Sequence, residues 1–139
     1  ACLAFERQQA LQEILTRLDE LGRSKRLNNG NVPRMVRNYF LESAVVIFEL
    51  GRVVRPGGFV AMVNDNVQYG GEEIPVDLIL SDLALAAGFE TERIWVMERG
   101  KGNSSQQMGE HGRNELRKCV YVWRRTRASQ RSERVCRRG

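Results

Sequence analysis

Histidine, cysteine and proline are scarce in this sequence of 139 residues, which has one histidine, three cysteines and three prolines. The single histidine, His111, stands in no arrangement with a serine or cysteine nucleophile, so a triad-type hydrolase is not expected. Cys2, Cys119 and Cys136 are widely spaced and odd in number. They form neither a CxxC metal pattern nor a disulfide framework, so a reducing, cytoplasmic setting is expected. Cys119 lies in an apolar strand pattern and is expected to be a buried, inert thiol. No apolar run approaches the roughly 20 residues that span a bilayer, and the N-terminus lacks the order of a signal peptide. No membrane partner is expected.

What is present is the composition of a globular protein. Hydrophobic residues make up 42% and charged residues 28%, enough for one domain with a modest core. The chain opens at Ala1 directly in a helix-like pattern, as a fragment would. Its net charge of +5 is concentrated at one end: Arg124 to Gly139 holds seven arginines against one glutamate. With no apolar period, that tail is expected to be disordered. It either binds nucleic acid non-specifically or is a solvated terminus.

Along the chain, Leu11, Ile14, Leu15, Leu18 and Leu21 recur at helical spacing within a first segment from Leu3 to Leu21, which Gly22 is expected to cap. A polar turn follows through Asn28-Asn29-Gly30-Asn31. Pro33 opens a second helix, apolar on more than one side, which Pro56-Gly57-Gly58 ends. Phe59 to Val63 reads as a strand covered on both faces, closed by Asn64-Asp65-Asn66. Val67 to Glu73 is expected to be a loop containing Gly70-Gly71. A third helix runs from Pro75 to Gly88, with Val76, Ile79, Leu80 and Leu83 as its buried stripe. Glu92 to Glu98 reads as a strand, Arg99 to Glu115 as a polar loop, and Lys118 to Trp123 as a final strand. Trp95 and Trp123 sit in strand patterns, where core packing is the default. The last two strands, joined by a loop, can pair antiparallel.

The succession helix, Arg55-Pro56-Gly57-Gly58, strand, helix, Ala87-Gly88-Phe89, strand, loop, strand resembles the C-terminal half of a class I methyltransferase. The strings NNGNVPRMVRNYFLESAVVIFELGRVVRPGG, MVNDNVQYGGEEIPVDLIL and RGKGNSSQQMGEHGRNELRKCVYVWRR resemble site-specific DNA methyltransferases. These transfer methyl from S-adenosylmethionine to cytosine N4 or adenine N6. The likeness covers about residues 9 to 125. It implies the C-terminal part of a Rossmann-like α/β fold. Its sheet is expected to be mixed, with strands in the order 5-7-6, the last antiparallel, packed helices, and an N-terminal helical segment. Implied units are 1–31 (N-terminal helix and loop), 32–125 (methyltransferase half) and 126–139 (basic tail). The family's Asp/Asn/Ser-Pro-Pro-Tyr motif and glycine-rich cofactor loop have no counterpart here. The resemblance therefore implies S-adenosylmethionine for the whole protein, no catalytic residue in this chain, and little activity alone.

The resemblance also directs attention to a DNA-facing edge, because open α/β sheets bind ligands beyond the carboxyl ends of their strands. In the 99–115 loop, Lys101, Asn103, Ser104, Ser105 and Gln106 join flexible backbone, one cation and many hydrogen-bonding groups, suited to a flipped base or its phosphate. An ordinary solvent loop is the rival. Asn64, Asp65 and Asn66 either shape the pocket or cap a turn. Arg34 and Arg37, with Asn38, Lys25 and Arg26, make a basic cluster at a helix N-terminus that suits phosphate or is a solvated face. Expected partners are DNA, the missing N-terminal half, and a second copy through the bare edge of Phe59–Val63 or an exchanged N-terminal helix. A non-catalytic nucleic-acid-binding or dimerising module and an RNA methyltransferase are the alternatives.

Overall fold

The computed structural model describes residues 1–97 and 116–127. Two short-linked helices open the chain, α1 (Cys2–Arg7) and α2 (Gln9–Arg23), followed by the long α3 (Val32–Val53). Then come β1 (Phe59–Asp65), the hairpin strands β2 (Val67–Tyr69) and β3 (Glu72–Ile74), α4 (Val76–Ala86), β4 (Phe89–Val96) and β5 (Lys118–Arg125).

The first apolar stripe forms two helices where the sequence suggests one. Gln8 leaves the helical region at φ −76°, ψ 96°, and its side chain accepts a hydrogen bond from Leu11 N at 2.6 Å. An interior residue thereby becomes the cap of α2. Leu11, Leu15, Leu18 and Leu21 are buried as their spacing requires. Gly22 is not the cap expected of it: α2 continues through Arg23, and Lys25 takes the left-handed conformation at φ 54°. In α3 the buried residues Val32, Val36, Phe40, Ala44, Ile47 and Gly51 fall three or four apart. Met35, Val46 and Val53 remain exposed on its outer side.

The main sheet has the order β1-β5-β4, and β5 is antiparallel to both neighbours. The final strand thus lies between the two earlier ones, as expected. Among the described residues the sheet is not mixed, however. β1 and β4 run in the same direction but are separated by β5, so every pairing among the described residues is antiparallel. On the inner face Val60 lies opposite Trp123, and Met62 opposite Tyr121. Trp123, Tyr121, Phe89, Leu80 and Leu83 are fully buried there in the same core that takes in α2 and α3.

The outer face corrects two further expectations. β1 alternates exposed and half-buried residues, with Phe59 60% and Val63 57% exposed, so it is covered on one face only. Trp95, expected in the core, is 47% exposed, and Arg93 lies over its ring at 5.5 Å. It pairs opposite Val120, which puts it on the uncovered side. The segment after β1 is no loop either. Gly70 (φ 56°) and Gly71 (φ 86°) make the two-residue turn of the β2–β3 hairpin. Two consecutive positive φ values are what a tight hairpin of the right twist needs.

Candidate functional site

The carboxyl end of β1 faces the amino-terminal half of α3, and the hairpin closes the third side. Between them lies a groove of about 620 Å³, bordered by Met35, Tyr39, Val63, Asn64, Tyr69 and Lys118 among others. A second groove of about 800 Å³ runs between α1, α2, α3 and α4, and no strand residue borders it. The first is the better candidate, because strand ends are where sheet proteins place ligands.

The groove's polar centre is Asn64. Its Nδ2 donates to Tyr39 Oη at 3.1 Å and to Tyr121 Oη at 2.9 Å. Tyr121 is fully buried, and burial pushes its phenol up to about 12, so it is a neutral hydroxyl at ordinary pH. Burial also raises the Tyr69 phenol. Strand alternation sends Asp65 to the exposed side, where its carboxylate stands 3.9 Å from Lys118 Nζ.

Behind the groove is a buried polar cluster. Asn66 is 2% exposed, and its Oδ1 accepts from Asp77 N at 3.5 Å at the start of α4. Asp77 is itself buried in the first helical turn, where a carboxylate is favoured by the helix dipole. Its Oδ2 accepts from Arg117 Nη2 at 2.8 Å. The Cys119 thiol beside them is pushed up to about 11, by burial first and by Asp77 second. Among the described residues, Asn66 Nδ2 is buried and has no hydrogen-bond partner. No group of three or more acidic, histidine or cysteine side chains among them could hold a metal ion. No described helix is long and apolar enough to cross a membrane.

Of the residues singled out in the sequence, Asn64, Asp65 and Asn66 border the groove. Arg34 and Arg37 do not. They are exposed on α3 and border a separate shallow groove with Arg23 and Asp19, where Arg34 reaches Asn31 Oδ1 at 3.5 Å. Lys101, Asn103, Ser104, Ser105 and Gln106 lie outside the described residues, as do His111 and Cys136.

Over 121 residues the chain is 55% identical to proteins named type II methyltransferase M.AvaI, from Nostoc sp. and from Anabaena variabilis. Over 115 residues it is 43% identical to type II methyltransferase M.BsoBI of Geobacillus stearothermophilus. This chain is homologous to part of a type II methyltransferase. The matches cover 87% and 83% of it but only 25% and 23% of those relatives, so the chain spans about a quarter of their length. No protein-family model matches it, and no solved structure does.

Three side chains at this groove and behind it do not stand out in the sequence. Tyr39 and Tyr121 lie within apolar helix and strand patterns, where spacing does not tell a phenol with a polar role from core packing. Asp77 carried a signal: an acidic residue directly after Pro75-Val76 sits in a first helical turn.

Proposed function

We propose that this chain is the C-terminal part of an S-adenosylmethionine-dependent DNA methyltransferase acting on an exocyclic amine, cytosine N4 or adenine N6. The observation that carries this reading is the 55% identity over 121 residues to a type II methyltransferase. A final strand placed antiparallel between two co-directional strands supports a Rossmann-like class I sheet, of which these would be the back strands. On this reading residues 32–125 form the back half of the catalytic domain, 1–31 flank it, and 126–139 make a basic tail.

An exocyclic amine is a weak nucleophile, because its lone pair is delocalised into the ring. The enzyme must draw the base from its stack, at a cost of a few kcal/mol, and hold the amine in line with the methyl donor. Such alignment is worth several kcal/mol of barrier, about 7 or more in well-oriented systems. The chain's own contribution is to bind and position. Arg34 and Arg37 offer cations to the DNA backbone, Lys101 one more, and Asn103, Ser104, Ser105 and Gln106 hydrogen bonds to a base or phosphate.

S-adenosylmethionine supplies the methyl group when bound, but the described residues do not fit it. A nucleotide cradle needs an open glycine turn at a strand end. Gly70 is not open, since a Cβ there would lie 2.9 Å from Leu27 and 3.1 Å from Leu21. Gly88 lies at the amino end of β4, not a carboxyl end, and the Arg125 guanidinium fills the space beside it. Calorimetry should therefore detect no tight binding of S-adenosylmethionine by residues 1–139. A chain extended with the upstream polypeptide should bind it and methylate DNA oligonucleotides but not RNA. Tight binding by the short chain, or transfer to RNA alone, would overturn the reading.

A further inference from the structure

Asn64 spends both of its amide protons on phenols. Its Nδ2 donates to Tyr39 Oη and Tyr121 Oη, and each phenol oxygen accepts, so each keeps its own proton to give elsewhere. Tyr121 is buried, but Tyr39 is 40% exposed on the groove wall. Two groups are thereby left side by side without a partner among the described residues: the Asn64 Oδ1 acceptor and the Tyr39 hydroxyl donor.

The surroundings select the shape of what could use them. Met35, Tyr39 and Tyr69 border the groove with one flexible thioether and two phenol rings, and Tyr39 and Met35 are partly open to solvent. Such walls favour a flat, polarisable ring, because aromatic faces stack on any base. Lys118, on the rim and 3.9 Å from the Asp65 carboxylate, is the cation nearest to where a backbone phosphate attached to that ring would lie.

We propose that Asn64 and Tyr39 read the hydrogen-bonding edge of one unstacked nucleobase, with Asn64 Oδ1 accepting from its amino group and Tyr39 Oη donating to the adjacent ring nitrogen. Cytosine and adenine both present such a donor beside an acceptor. Tyr121 is a positioning residue, which fixes the rotamer of Asn64 from the buried side. The choice of DNA as the source of the base rests on the methyltransferase reading; the donor–acceptor match does not.

The test is an NMR titration of residues 1–139 with deoxycytidine, deoxyadenosine and, as a control, deoxyribose 5-phosphate. Saturable shifts are expected at the Asn64 side-chain amide and at Tyr39 with the two nucleosides and not with the sugar phosphate. Tyr39→Phe keeps the ring and should weaken nucleoside binding by about threefold to tenfold, the worth of one hydrogen bond. Asn64→Ala should weaken it at least as much, and an unchanged thermal melt of Tyr39→Phe shows that the fold is retained. Shifts confined to other regions, or equal shifts with the sugar phosphate, overturn the proposal. In the extended enzyme, Tyr39→Phe should raise KM for DNA while leaving cofactor affinity unchanged. Methylation that is insensitive to both substitutions sinks the base site and spares the enzyme reading. Nucleoside binding by an extended chain that methylates nothing does the reverse.

Discussion

Trp123 is buried in full on the inner face of the sheet, and its indole N–H donates to Ser81 Oγ at 3.0 Å. That bond satisfies a donor which water cannot reach. Ser81→Ala would leave it unpaired, at a cost of about 1–3 kcal/mol. A lowered urea midpoint with an unchanged slope is the expected result. Two further buried groups set the response to alkali. The Cys119 thiol rises from 9 to about 11, and the Tyr121 phenol from 10 to about 12, chiefly through burial. Each acid is raised in the folded state, so its neutral form is favoured by folding. The stabilisation is complete below pH 9 and is lost as pH climbs through 11 and towards 12. Denaturation followed from neutral to strongly alkaline pH should show stability falling across that window. Cys119→Ala together with Tyr121→Phe should flatten the fall, and an equally steep fall in that variant would count against these two groups as its cause.

Between elements, α3 comes close to the residue that ends α4. Gly51 faces Ala87, and a Cβ on Gly51 would stand 2.6 Å from the Ala87 carbonyl oxygen. Backbone cannot yield as a side chain can, so Gly51→Ala should force the helices apart and destabilise by roughly 1–3 kcal/mol. A thermal melt would register this as a fall of several degrees, and a melt at the original temperature would mean that the contact has slack. The end of α4 is held from another strand. Arg125 of β5 donates to Ala87 O at 3.1 Å, a carbonyl that the helix end leaves open, and to Gly88 O just beyond it at 2.7 Å. The glycine at position 88, at φ 90°, makes room for that guanidinium. The end of this helix was legible from Ala87-Gly88, but the arginine that closes it was not, because 37 residues separate it from Gly88.

As a whole, the described molecule is a layer of helices on one face of a three-stranded sheet. The other face carries Phe59, Val63 and Trp95 exposed. β1 pairs with β5 along one edge, and no described strand pairs with its other edge. An exposed apolar sheet with an open edge recruits further chain, and a second copy is one source of it. Sedimentation of residues 1–139 should therefore show association that grows with concentration and weakens in Val63→Lys. A monomer at every concentration would refute this.

The order of the longer elements, the buried stripes of α2 and α4 and the central place of the last strand were legible in the sequence. They follow from local periodicity and from a resemblance carried by Arg55-Pro56-Gly57-Gly58 and Ala87-Gly88-Phe89. The break at Gln8, the hairpin at Gly70-Gly71 and the exposure of Trp95 were not. Each depends on which neighbour a residue meets, and a strand reads the same whether one face or two are covered. The site divides in the same way. Asn64 and Asn66 stood out as polar residues ending an apolar strand. Only the tertiary structure brought Tyr39 and Tyr121, 25 and 57 residues from Asn64, to either side of its amide, since hydrogen bonds of that reach are fixed by packing and leave no spacing to read.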